Sequence, residues 1–290
     1  MNKVIVVAAA LLLLTGTAGA NFAETEVGAR PMGMGGAFVA VADDVTALHW
    51  NPAGLANLEG VQLFGMRTSV YSVDGLSEDS AMAVYGDGCR GFAAGWMRTG
   101  AEDLYNEDVI LFGVGTTLPP DGLSAGFSIK RLSIQAPGYE YYNDPAFDGD
   151  GDSAYTGDLG LLYRRGSWSA GATYRNIGEP ELQLLSTTED PDPVVSEFRL
   201  GGSYLFREVM LMTAEWRVPR EVPSYYERKS SFNLGTEVWF YEVVALRAGM
   251  NRDRITAGLG LKADPVRIDV ALLSERRIGS LYRLSAIFTW

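Results

Sequence analysis

The sequence predicts an all-β protein, a transmembrane antiparallel β-barrel of about 14 strands with an N-terminal hatch (plug) segment. Three observations carry this. From Val61 onward, apolar residues alternate with polar or small ones at period two, in segments of about ten residues closed by turn signals. The connections alternate between tight turns and longer loops, and large aromatics gather near the strand ends. No window after residue 60 sustains a helical period.

The chain opens with a positive Met1-Asn2-Lys3, an unbroken apolar run from Val4 to Leu14 and an Ala18-Gly19-Ala20 cleavage site. This order reads as a secretory signal peptide over residues 1–20, and the run is too short to span a bilayer as a helix. The expected destination is the cell outer membrane. Acidic residues outnumber basic ones 36 to 24, for a formal charge of −12, which argues against nucleic acid as a partner. The single cysteine, Cys89, cannot form an internal disulfide, and the single histidine, His49, leaves triad or His-rich metal chemistry without parts. With no Gly-x-Ser-x-Gly to join His49, the chain does not read as an enzyme.

The barrel is expected over 61–290, with strands near 61–71, 79–86, 90–99, 107–118, 122–133, 153–164, 167–176, 195–206, 208–218, 230–240, 242–250, 253–263, 265–275 and 280–290. Tight turns fall at Gly86 to Arg90, Pro119 to Gly122, Arg165-Gly166, Arg207-Glu208, Tyr241-Glu242 and Asp264-Pro265, whereas 134–152 and 177–194 are long. Short turns on one rim, expected in the periplasm, and long loops on the other are the asymmetry of such barrels. A soluble β-sandwich would also alternate. However, Tyr71, Tyr85, Trp96, Tyr163, Trp168, Tyr174, Trp216, Trp239, Phe240, Tyr282 and Trp290 crowd the strand ends as aromatic girdles would, and this favours lipid.

A charge facing lipid at mid-bilayer costs about 2–4 kcal/mol, so the face bearing charges should point inward. Lys130, Asp158, Glu197, Arg199, Glu215, Arg217, Glu237, Lys262, Arg267 and Asp269 all lie opposite the apolar rows. Their mixed signs on neighbouring strands predict ion-paired ladders in a partly filled lumen. In the last segment, SLYRLSAIFTW, Tyr282, Leu284, Ala286, Phe288 and Trp290 share one face and the chain ends on the aromatic. This resembles the C-terminal signal read by the outer-membrane barrel assembly machinery, with Tyr282, Phe288 and Trp290 as its marks.

Residues 21–60 have no period. GARPMGMGGAFVAVADDVTALHWNPAGLAN, from Gly28 to Asn57, is too rich in glycine for a strand, and Asp43-Asp44 before Val45-Thr46-Ala47-Leu48 predicts a capped helical turn or two. Its small and apolar residues argue for burial in the lumen.

This stretch resembles the N-terminal hatch of the outer-membrane long-chain fatty-acid transporter (FadL-like) superfamily, marked by a glycine- and alanine-rich entry, an acidic pair and an Asn-Pro-Ala triplet. With TGDLGLLYR at 156–164 and YRNIGEPEL at 174–182, it is most similar to the smaller branch that includes the shuttle barrel of the type IX secretion system (PorV-like). The resemblance implies a plugged fourteen-strand barrel that captures hydrophobic ligands outside and releases them sideways into the membrane. On this chain Asn51, Pro52 and Ala53 are the triplet, with Ala53-Gly54 expected to let the segment approach the wall. Phe38, Leu48 and Trp50 are candidate apolar contacts for plug or ligand. The expected partners are outer-membrane lipid, the assembly machinery, and either a hydrophobic small molecule or, as in some members of the smaller branch, a secreted protein.

One acidic stretch is read separately. Asp148, Asp150 and Asp152 open like a calcium loop inside the 144–158 segment, but the sixth position is Ser153 and the twelfth is Leu159, so the glycine and the closing glutamate are missing. A solvated acidic loop is the simpler expectation, with weak calcium binding the alternative and no other cofactor expected.

Overall fold

The computed structural model describes residues 26–69, 75–101, 105–137, 151–184, 192–220, 229–275 and 279–290. The signal peptide, Tyr71, Asp144, Asp148 and Asp150 lie outside them. Fourteen strands close into one antiparallel barrel: β1 (Glu59–Ser69), β2 (Leu76–Asp87), β3 (Arg90–Ala101), β4 (Tyr105–Leu118), β5 (Leu123–Gln135), β6 (Gly151–Arg165), β7 (Trp168–Arg175), β10 (Glu197–Phe206), β11 (Met210–Pro219), β12 (Ser231–Phe240), β13 (Val244–Asn251), β14 (Arg254–Ala263), β15 (Val266–Glu275) and β16 (Gly279–Thr289). Each of the fourteen expected strands is present, displaced by no more than a few residues at its ends. A two-stranded ribbon, β8 (Glu181–Leu182) with β9 (Asp192–Pro193), sits in the long connection between β7 and β10.

Strand β16 pairs with β1 to close the circle, and the last residue completes the seam: Trp290 N donates to Val61 O at 2.8 Å and Val61 N to Trp290 O at 2.7 Å. Tyr282, Leu284, Phe288 and Trp290 all face outward and are exposed. The outward rows of β10 to β16 are almost wholly apolar. Phe198, Leu200, Trp216, Phe232, Leu234, Leu246, Leu259, Ile268 and Val270 are among their exposed residues, while the alternate positions are buried. An apolar exterior on a closed sheet is stable only against lipid, so the barrel spans a membrane by its strands. No described helix is long and apolar enough to do so.

The aromatic girdle has one correction. Trp239 points inward, in register with Glu237 and Asn233, and the Arg247 guanidinium lies 5.9 Å from its ring centre. Its place at a strand end suggests the girdle, but period two puts it on the face of Glu237, and the Arg247 cation across the ladder favours it there.

The wall is uneven. Strands β1 to β6 run 11 to 15 residues, and β7 and β10 to β15 only 8 to 10. Because β7 stops pairing at Leu159↔Tyr174, the eight residues Gly151 to Asp158 of β6 have no ladder partner on that side. The chain leaving β7 turns inward there: Ile177 N donates to Gly157 O at 2.9 Å, and Leu182, Val194 and Val195 are buried inside the mouth. The ladders among β1 to β5 run without a register shift, so the interruption is at β6 and not in an early strand.

Residues 26–58 lie inside the barrel. They form a short helix α1 (Ala29–Gly33), tight turns through Ala42, a second short helix α2 (Ala47–Trp50) and a 3-10 turn (Pro52–Asn57). The acidic pair does not cap α2: its N-cap, Thr46, makes no side-chain cap bond, and Asp44 instead accepts from Thr46 N through Oδ1 at 3.0 Å, bracing the turn that precedes the helix. The close fit depends on glycines on the inward face of the wall. A methyl on Gly126 would stand 2.2 Å from Pro52 C, one on Gly160 2.1 Å from Asn51 Oδ1, one on Gly171 2.3 Å from Val39 O and one on Gly235 2.3 Å from Met34 O. A wall with side chains at these places could not admit a backbone so close.

Candidate functional site

The interior is divided between two kinds of chemistry, and the N-terminal segment lies between them. Around β1 to β5 most of the large inward side chains are apolar, Phe64 and Met66, Met82 and Val84, Met97, Val109 and Leu111, then Leu132 and Ile134, with Thr68, Ser80, Glu107 and Lys130 as buried polar exceptions. Val45, Leu48 and Leu55 of the N-terminal segment pack on this surface from within, and Leu182 and Val194 close it from the mouth. On β4 and β5 the outward face is apolar here too, with Ile110, Phe112, Val114, Phe127 and Ile129 between the inward residues. Three methionines, Met66, Met82 and Met97, make this surface adaptable in shape.

Around β12 to β15 the interior is ionic. Arg30 on α1 forks onto Glu237, Nε to Oε2 at 2.8 Å and Nη2 to Oε1 at 2.9 Å. Glu237 also accepts from Arg247 Nε at 2.6 Å, and Arg247 Nη1 stands 2.8 Å from Asp269 Oδ1 without an aligned hydrogen bond. Arg267 bonds Asp269 at 3.0 Å and Asp44 at 2.6 Å, and Asp44 returns to Arg30 at 3.2 Å. The result is a closed ring of three arginines and three carboxylates, with Asp43 as a branch from Arg30 at 2.5 Å. Burial opposes ionisation of Asp44, but the Arg267 and Arg30 guanidinia outweigh it and lower its pKa to about 2. Arg30, desolvated but facing Asp43 and Glu237, is raised above its ordinary value.

A second charged group lies between β5 and β11. Glu215 Oε2 accepts from both Phe38 N and Val39 N at 2.9 Å, and its Oε1 accepts from Arg217 Nε at 2.8 Å. Arg217 also holds Glu26 at 2.7 Å. Against the cost of burial, Arg217 lowers the Glu26 pKa to about 2. Lys130 bonds Asp158 at 2.7 Å and Asn176 at 2.6 Å. His49 is buried with its Nε2 3.4 Å from Arg175, and burial together with that cation pushes its pKa well below the ordinary range. It is a packed neutral ring.

Among the inward charges expected from sequence, Lys130, Asp158, Arg199, Glu215, Arg217, Glu237 and Asp269 are buried, and Glu197 and Arg267 are partly so. Lys262 departs from the ladder: it is exposed at the short-turn rim and pairs with Asp264 at 3.5 Å, because β14 ends there and the lumen opens to water.

The structure separates the candidate contacts. Leu48 belongs to the apolar side, with its Cδ1 2.5 Å from where a Gly113 methyl would stand. Phe38 and Trp50 instead pack edge-on at 5.9 Å with Met34 and Val41, and Arg199 and Arg217 lie 5.5 and 5.6 Å from the Trp50 ring centre. Trp50 Nε1 donates to Val27 O at 2.9 Å. Asn51 is fully buried and ties three pieces together: Nδ2 donates to Val39 O at 2.8 Å and to Leu161 O of the wall at 3.0 Å, and Oδ1 accepts from Ala53 N at 3.1 Å. Pro52 and Ala53 lie on Gly126 and Gly160 of the wall. Gly54 does not: a methyl there would meet Ala42 O at 2.1 Å, so its task is the crossing of the segment over itself.

Asp152 is the described member of the acidic stretch. Its carboxylate accepts from Ser153 N at 2.7 Å and Gln183 N at 2.8 Å, tying β6 to the inturned connection. No group of three or more metal-ligating acidic, histidine or cysteine residues occurs among the described residues. The sequence reading missed Met66, Met82, Met97, Val109, Leu111, Leu132 and Ile134. The available signal was the absence of charge in the middle of the inward row of β1 to β4.

No protein-family profile matches the chain, and no curated protein matches it. Solved structures do. The toluene transporter TbuX of Ralstonia pickettii superposes with a TM-score of 0.60 at 16% identity, over 90% of this chain and 96% of that one. A monoaromatic hydrocarbon channel, CymD, gives 0.64 at 14% over 91% and 97%, and a FadL homologue of Pseudomonas aeruginosa gives 0.57 at 12% over 87% and 96%. At such identities the likeness is one of architecture: this chain has the barrel fold of the FadL-type hydrocarbon transporters.

Proposed function

We propose that the protein is an outer-membrane barrel that lets hydrophobic small molecules, of the long-chain fatty-acid or monoaromatic type, cross the membrane. The observation that carries this is the apolar side of the interior, lined by Met66, Met82, Met97 and Leu111, in a barrel folded like hydrocarbon transporters. Leu48 and Leu55 hold that surface by contact alone, so an apolar guest can replace them without leaving a charge or hydrogen bond unmet. The unpaired edge of β6 beside the inturned connection offers a sideways route to lipid. In this reading Asn51, Pro52 and Ala53 seat the plug, and the Tyr282, Phe288 and Trp290 row guides assembly.

The test is uptake of labelled long-chain fatty acid and of toluene by cells that make the native chain, lack it, or carry Met97→Trp with Leu111→Trp. Uptake should fall in the last two, with the Trp variant still showing the heat-dependent gel migration of a folded barrel. Equal uptake with and without the chain ends the transport reading.

The closed ionic ring favours a second reading, a sealed barrel of the type IX kind that docks secreted proteins. Loss of the chain would then leave uptake unchanged and reduce the release of secreted proteins.

A further inference from the structure

The outward surface carries charge in one sector only. From β7 round to β16, no outward-facing described strand position holds Asp, Glu, Lys or Arg. On β1 to β5, away from the short-turn rim, five outward positions do: Arg67, Asp79, Arg98, Asp108 and Arg131. The first four form one row across the ladders and neutralise each other in pairs. Arg67 Nε lies 3.8 Å from Asp79 Oδ1, while Arg98 forks onto Asp108 at 2.8 and 2.9 Å. Trp96 Nε1 donates to the same Asp108 carboxylate at 2.9 Å, so both its oxygens are engaged.

Arg131 is left over. It sits one row nearer the middle of the barrel, opposite Ile110 on one side and Tyr155 on the other, in the row that also contains Trp96. The row below is Phe112 and Ile129, both exposed and apolar. Arg131 is exposed and makes no ion pair among the described residues. A cation at the edge of the hydrocarbon, between Trp and Tyr, is costly in lipid unless an anion meets it at that depth. The spent Asp108 carboxylate cannot serve.

We propose that Arg131, with Tyr155 on the neighbouring strand and Trp96 further along the same row, binds the phosphate of a membrane lipid in the leaflet at the long-loop rim. The guanidinium offers a planar fork to phosphate oxygens, and Tyr155 beside it holds the adjoining sugar at headgroup level. This site rests on the barrel spanning a membrane and is independent of what passes through the interior.

The test is native mass spectrometry of the full barrel after delipidation and loading with lipid A, a phosphorylated glycolipid. Native protein should retain lipid A and lose it when the lipid is dephosphorylated. Arg131→Gln should lose it, Arg131→Lys should keep part of it, and Arg207→Gln, at an exposed turn on the other rim, should keep all of it. Heat-dependent gel migration would show each variant folded. Full retention by Arg131→Gln, equal retention of the dephosphorylated lipid, or displacement by inorganic phosphate alone would overturn the proposal.

Discussion

On the β1 to β5 side of the interior, the N-terminal segment rests on apolar contact, Leu48 and Leu55 against Met82, Met97 and Leu111, whereas on the β12 to β15 side six ionised groups hold it in a closed ring. The two modes respond differently to disturbance. Apolar contact has no preferred direction, so another apolar body can take its place. The ring is directional, and removing any member strands a buried charge. One side of the segment is therefore suited to yielding and the other to staying fixed, without any hinge sequence between them.

The sharpest way to break this contrast is at the ring. Glu237→Leu leaves Arg30 and Arg247 without their shared carboxylate, and breaking a buried pair costs about 3–5 kcal/mol. Chymotrypsin should then cut after Phe38, which is fully buried in the native barrel, and the melting temperature should fall. A native cleavage pattern would mean that the ring does not hold the segment.

On the apolar side, Leu111→Ala should cost about 2–5 kcal/mol through the cavity it leaves. Toluene or a fatty acid should restore part of the lost melting temperature in this variant and none of it in Glu237→Leu. Equal rescue of both would erase the distinction between the two sides.

Asn51 stands at the junction. Asn51→Ala removes two donated bonds and the cap on Ala53 N, at a cost of about 1–3 kcal/mol for the carbonyls left buried. Hydrogen exchange should rise at Ala53 and Val39 while the strands of the wall stay protected.

The smallest expected effect is that of pH. Because His49 is held neutral when seated, with a pKa below its ordinary 6.5, a released segment binds a proton that the seated one refuses. Seating is therefore fully favoured above that ordinary value and weakens as pH falls below it. His49→Gln should flatten the dependence of protease protection between neutral pH and mild acid. Asp44 and Glu26 act further down: lowered to about 2 from ordinary values of 3.8 and 4.5, they stabilise above those values and lose their contribution as pH falls toward 2. A profile unchanged by His49→Gln would show that the ring is charged or reaches solvent when seated.

Much of this architecture is legible in the chain because a lipid-facing row and an enclosed row must alternate. Phe198, Leu200, Tyr204 and Phe206 could have only one environment once Glu197 and Arg199 took the other. The N-terminal segment is legible by contrast, as the one long stretch with neither period. Trp239 shows that position at a strand end is a weaker guide than alternation, since two residues from the inward Glu237 it must share that face. The outward charges of β1 to β5 escaped notice for another reason: on a taller wall, the upper positions leave the hydrocarbon, and alternation says nothing about height.

By itself the sequence determined the strand count, the face of nearly every strand residue and the burial of residues 28–57, since each follows from local periodicity and the cost of charge in lipid. Tertiary structure alone decided the partners. Arg30 meets Glu237 across 207 positions, Asn51 meets Leu161 across 110, and Gly126 and Gly160 matter only because Pro52 and Asn51 arrive beside them. Such pairings depend on where closure of the barrel brings distant residues together. Closure is a property of all fourteen ladders at once, and no single stretch of sequence carries it.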